Sequence, residues 1–191
     1  MEKLIVASGN KGKLKEIREI LGDFYNVVPM SEEGFNEDIE ENGKTFYENA
    51  LIKAKTVSQA LNADVLADDS GLMVEALGGA PGIYSARFAG AHGNDKKNRD
   101  LLLEKLKGEK NRRAKFASAV VLYKKNGDVL SGYGETHGEI LDKEYGSNGF
   151  GYDCVFFSED LKKSFGEAAD EEKNSVSHRY RAICDLKAKL L

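Results

Sequence analysis

Cysteine is scarce in this sequence: Cys154 and Cys184 are the two among 191 residues, far apart and with no C-x-x-C pair. That excludes a disulfide scaffold and a cysteine-based zinc site, and it fits a reducing compartment. Long apolar runs are missing too, and none approaches the roughly 20 residues of a membrane-spanning helix. The start passes directly into Lys3-Leu4-Ile5-Val6-Ala7 with no signal-peptide core. The expected setting is therefore cytoplasmic, without a membrane partner. Positive charge is not in excess either: 28 Lys and Arg stand against 32 Asp and Glu, a net charge of -4. A general nucleic-acid binder is disfavoured on that balance. Repeats, low-complexity tracts and linkers are absent, so residues 1–191 are expected to form a single domain. At 41% hydrophobic and 31% charged residues, the composition is that of a soluble globular protein with a sizeable core.

What is present is a succession of strands and amphipathic helices. Leu4 to Ala7 predicts a short buried strand, and Asn10 is placed to cap a helix on which Leu14, Ile17 and Leu21 share a face before Gly22. A second strand is expected from Asn26 to Pro29, then an acidic loop from Ser31 to Gly43. Phe46, Ala50, Ala54, Val57 and Leu61 line one side of a helix expected from Lys44 to Asn62. A strand over 64–69, a glycine-rich loop over 78–93 and a helix from Asn94 or Asp95 to Lys107 follow. Asn126-Gly127 joins two strands, Ala114 to Lys125 and Asp128 to Leu141, as a hairpin. Asp153 to Phe157 reads as one more strand, and Val176, Tyr180, Ile183, Leu186 and Leu190 as the inner face of a closing helix. The sum is an α/β protein with a mixed sheet flanked by helices.

Six places along the chain carry chemistry. Val65-Leu66-Ala67 runs into the paired acids Asp68-Asp69 and an expected Ser70-Gly71 turn, which serves equally as a solvated corner or as a site. Ser8, Gly9, Asn10, Lys11, Gly12 and Lys13 lie between a strand and a helix start, where backbone N–H groups and two lysines suit an anion. It is not a Walker A loop, since Ala7 and Leu14 stand where that motif needs Gly and Ser or Thr. Lys53 falls inside the apolar stripe of its helix and must snorkel to water or meet an anion. Glu37, Asp38, Glu40 and Glu41 form either a solvated acidic face or a source of a second carboxylate for magnesium beside Asp68 or Asp69. Phe150, Gly151, Tyr152 and Asp153, then Lys173, His178 and Arg179, offer a stacking ring and polar groups for a nucleobase; each also has a plain packing role.

Taken in order, these stretches resemble the Ham1 family of pyrophosphatases for non-standard purine nucleoside triphosphates, also called inosine triphosphatases. The resemblance rests on Ser8 to Lys13, Thr45 to Ala50, Ala67 to Leu72, Gly78 to Arg87, Gly149 to Asp153, and Glu172 to Asn174 with Ser177 to Arg179, across essentially the whole chain. It implies hydrolysis of ITP, dITP and XTP to the monophosphate and pyrophosphate with Mg²⁺, in a homodimer with an elongated sheet and a nucleotide cleft between two lobes. It implies Asp69 as proton acceptor and metal ligand, with Glu40 as the second metal carboxylate and Glu41 its alternative. Ser8 to Lys13, Lys53 and Ser70 would hold the triphosphate. Phe150 would stack on the base, within the loop that includes Gly151 and Tyr152, while Asp153, Lys173, His178 and Arg179 would read its polar edge. Cys154 departs from the family's usual proline and removes no functional group. The rival enzyme is a pyrimidine triphosphate pyrophosphatase like those of the Maf family, and the rival non-enzyme is a nucleotide-binding module.

Overall fold

The computed structural model describes residues 1–90 and 92–189. Seven strands hydrogen-bond in the order β2-β1-β3-β4-β5-β6-β7. They are β1 (Glu2–Val6), β2 (Tyr25–Pro29), β3 (Val65–Val74), β4 (Arg113–Tyr123), β5 (Val129–Ile140), β6 (Phe156–Ser158) and β7 (Lys163–Ser164). Among them run α1 (Lys11–Leu21), α2 (Phe46–Leu61), α3 (Asp95–Lys105), α4 (Asp170–Val176) and α5 (His178–Ala188). β1 is parallel to β2 and β3, whereas β6 is antiparallel to β5 and β7, so the sheet is mixed as the element pattern predicts. Among the described residues no helix is long and apolar enough to cross a membrane.

The chain divides into two compact units. The first comprises Met1–Asp69, Ser118–Gly134 and the chain from Arg179 onward; the second comprises Ser70–Ala117 and Glu135–His178. In the first unit the period of two along each strand sorts side chains onto opposite sheet faces. Leu4 and Val6 of β1 and Leu66 of β3 pack with Leu14, Ile17 and Leu21 of α1 and Ile183 and Leu186 of α5. Ile5, Ala7, Val65 and Ala67 turn the other way, onto Ala50, Ala54 and Val57 of α2. The second unit has one core, in which Leu72, Val74, Leu102, Leu106, Ile140 and Phe156 pack with Phe116 and Phe165. Phe116 lies 4.6 Å from Phe156 between ring centroids, and Phe156 lies 5.1 Å from Phe165.

Three local expectations differ from the structure. β3 does not stop at the acids: Asp68, Asp69, Ser70 and Gly71 all lie within it, so the expected Ser-Gly turn is strand. Gly71 is tolerated there because another segment crosses it closely; a Cβ would stand 2.3 Å from Gly82 O and 2.5 Å from Ser85 Oγ. The strand expected at 153–157 begins with a 3₁₀ turn, Asp153–Val155. The closing helix is two helices, α4 and α5, broken at Ser177, whose ψ of 153° is extended. Tyr180 is 37% exposed and does not face the core, while Leu190 lies outside the described residues. Asn126-Gly127 does form its turn, with Gly127 N donating to Lys124 O at 2.8 Å.

Candidate active site

The alternation of β3 decides what its paired acids do. Leu66 and Asp68 share one face, and Ala67 and Asp69 the other, so two adjacent carboxylates are sent to opposite sides of the sheet. Asp68, fully buried, meets α1 and α5. Its Oδ2 takes the Lys13 ammonium at 3.2 Å and the Arg179 Nε at 3.1 Å. Arg179 also donates through Nη1 to Glu16, itself 6% exposed. Burial lowers the Arg179 pKa to about 9, still high enough to keep it charged at neutral pH. Burial likewise lowers the Lys13 ammonium, against the pull of Asp68.

Asp69 faces α2. Asn49 donates through Nδ2 to Asp69 Oδ2 at 3.1 Å, and Asn49 Oδ1 is in turn fixed by the Gly43 N–H at 2.8 Å. One helical turn further along, Lys53 Nζ stands 3.9 Å from Asp69 Oδ1 and 3.0 Å from Glu41 Oε2. Desolvation raises the Asp69 pKa above the ordinary carboxylate value, with Lys53 and Lys13 opposing it. Burial works to lower the Lys53 ammonium, but Asp69, Asp68 and Glu41 outweigh it and hold its pKa above the usual value. A poised, half-desolvated carboxylate with fixed donors is what a general base requires.

The second unit holds the other predicted cluster. Asp153 Oδ2 accepts from Lys173 Nζ at 2.5 Å and from the Phe150 N–H at 2.9 Å. Lys173 Nζ also lies 4.9 Å from the centre of the Phe150 ring. Gly149 is left-handed at φ +73° and crowded, since a Cβ would come within 2.2 Å of Asp153 Oδ2. His178 stacks on Phe116 with ring centroids 5.0 Å apart.

Several expected roles shift in this geometry. Arg179 is a buried tether between Glu16 and Asp68 in the first unit; it is 1% exposed. Tyr152 is 5% exposed and donates its hydroxyl to Ser85 O at 2.6 Å, so it braces the loop and presents no face to a ligand. Glu40 is exposed, and its neighbour Glu41 is the carboxylate brought to Lys53. Asn10 caps α1 by accepting from Lys13 N at 3.0 Å, and Ser8 Oγ accepts from Asn10 N at 3.2 Å, which shapes the 8–13 loop. Gly9 and Lys11 are exposed, Gly12 is the second residue of α1, and Ser70 is half-buried in β3. Glu16 and Asn49 were not anticipated. The signal for both is helical spacing: Glu16 sits three residues after Lys13, and Asn49 four before Lys53.

The donor set bears on magnesium. Among the described residues there is no cluster of three or more His, Cys, Asp or Glu placed to hold a metal. Magnesium does not need one, because one or two carboxylates together with substrate phosphates and water suffice. Asp69 and Glu41 flank a single cation, the Lys53 ammonium. Asp68 Oδ1 is buried without a hydrogen-bond partner among the described residues. These residues fit a metal that arrives with its substrate.

Comparison with known proteins bears on the whole chain. The model of the Ham1 family matches residues 4–189. The chain is similar to the dITP/XTP pyrophosphatase of Clostridium perfringens, at 47% identity covering 100% of this chain and 98% of that protein. It is similar to the dITP/XTP pyrophosphatase of Haemophilus influenzae at 46% identity, covering 99% of each. The solved structure of the Staphylococcus aureus Ham1 protein matches with a TM-score of 0.88 at 42% identity, over 99% of this chain and 98% of that one. With the family model and relatives such as these matching over essentially its whole length, the chain belongs to the Ham1 family.

Proposed function

We propose that this chain hydrolyses non-standard purine nucleoside triphosphates, ITP, dITP and XTP, to the monophosphate and pyrophosphate, clearing them from the nucleotide pool. The observation that carries the reading is Asp69, a buried carboxylate of raised pKa gripped by Asn49 and Lys53. The names of the relatives from Clostridium perfringens and Haemophilus influenzae support the same substrates.

In this reading the first unit does the phosphate chemistry. Asp69 accepts the proton of the attacking water, and Asn49 fixes the carboxylate so that its other oxygen faces that water. Lys53, Lys13 and the 8–13 loop bind the phosphate oxygens, with Ser70 beside them. Asp69 and Glu41 would hold a magnesium ion, which would supply positive charge to the phosphate oxygens. In the second unit Phe150 stacks on the base, and Lys173 is the donor for a 6-keto oxygen. An amine at that position cannot accept from Lys173, at a cost of about 1–3 kcal/mol, so ATP is rejected. The family resemblance extends the proposal to a cytoplasmic homodimer.

The test is pyrophosphate release from a panel of ITP, dITP, XTP, ATP, GTP, dTTP and UTP, with and without magnesium. The proposal expects the first three to be favoured and magnesium to be required. Faster turnover of dTTP or UTP than of ITP would sink it.

A further inference from the structure

The Phe150 ring stands on a loop with left-handed glycines on both sides, Gly149 at φ +73° and Gly151 at φ +60°. Such a backbone has no intrinsic preference for a single pose. What fixes it is α3. The Gly151 N–H donates to Asp95 Oδ2 at 3.0 Å, and the Gly151 carbonyl accepts from Arg99 Nη1 at 2.8 Å. Both polar ends of the residue after Phe150 are therefore held by charged groups one helical turn apart.

The helix is itself anchored. Asn94 caps it by accepting from Lys97 N at 3.1 Å. On the same face, buried Asn98 accepts from Ala89 N at 2.8 Å and donates to Ala86 O at 3.1 Å. Arg99 is steadied by its Nε bond to Glu144 at 2.9 Å. Phe150's own N–H is held by Asp153, so consecutive peptide groups around the ring are fixed from two directions.

We propose that Asp95 and Arg99 are positioning residues for nucleobase recognition: by clamping the Gly151 peptide at both ends they set the pose of the Phe150 ring. This rests on the assignment of Phe150 as the base platform made above. Neither side chain touches the base. Their effect is confined to ligands that carry one, because the peptide they hold is the one beside the Phe150 ring.

Calorimetric titration of the full chain with IMP and, separately, with pyrophosphate tests this. Asp95→Ala and Arg99→Ala are each expected to weaken IMP binding about tenfold and to change pyrophosphate binding by less than about twofold. Asp95→Asn keeps an acceptor oxygen for the Gly151 N–H and is expected to restore IMP affinity. Equal losses for both ligands, unchanged IMP binding in both alanine variants, or no rescue by Asp95→Asn would each overturn the clamp. Binding is read without turnover. A wild-type chain that binds IMP but releases no pyrophosphate from ITP therefore defeats the proposed reaction and not the clamp.

Discussion

Arg179 donates through Nε to Asp68 Oδ2 at 3.1 Å, with both side chains out of solvent and 111 positions apart in sequence. The guanidinium ties α5 to β3 and, through Glu16, to α1. Removing it takes a charged donor away from two buried carboxylates. Arg179→Ala is expected to destabilise the fold by about 3–5 kcal/mol, read as a lower urea midpoint at unchanged m-value.

Asp69→Asn keeps the shape of the side chain and removes the base. Turnover of ITP is expected to fall at least about a hundredfold while ITP affinity by calorimetry changes only a few-fold. Unchanged turnover would remove Asp69 from the role of proton acceptor.

The raised pKa of Asp69 has a stability consequence of definite sign. Between its unfolded and folded values the folded chain binds more protons than the unfolded one, so stability falls as pH rises through that interval. In metal-free buffer at pH 7, Asp69→Asn is therefore expected to melt above wild type, and the gap should close on acidification below the ordinary carboxylate range. A gap that widens on acidification would show the opposite shift.

Gly71→Ala places a methyl group against Gly82 O and Ser85 Oγ in the middle of β3. Ser85 Oγ already accepts from Leu72 N at 2.9 Å and donates to Gly82 O at 2.6 Å, so the obstruction cannot rotate away without breaking both bonds. The expected cost is about 1–3 kcal/mol in thermal or urea unfolding.

Much of this site was legible in the sequence because it depends on local periodicity. Lys53 within an apolar stripe had to find an anion or water, and it meets Glu41 and Asp69. Leu14, Ile17 and Leu21 do line the core, and Asn10 does cap its helix. What could not be read was pairing across distance. Nothing local says that Arg179 joins Glu16 and Asp68 when its neighbour His178 stacks on Phe116. The Ser-Gly pair after Asp69 carries turn residues but is strand, since β3 hydrogen bonding and the approach of Ser85 override local preference. Glu40 and Glu41 are indistinguishable in an aperiodic acidic run, and it is the folded loop that brings Glu41 to Lys53.

The extended residue at Ser177 acts as a phase shifter. α4 ends there and α5 starts at His178, so the break sets the phase from which consecutive residues of α5 turn about 100° apart. Of its first two side chains one enters an aromatic core and the other a buried ionic network. The chain here is intolerant of a change in length: deleting one residue at the break would carry the guanidinium to the place His178 holds, and inserting one would carry the imidazole to the place of Arg179.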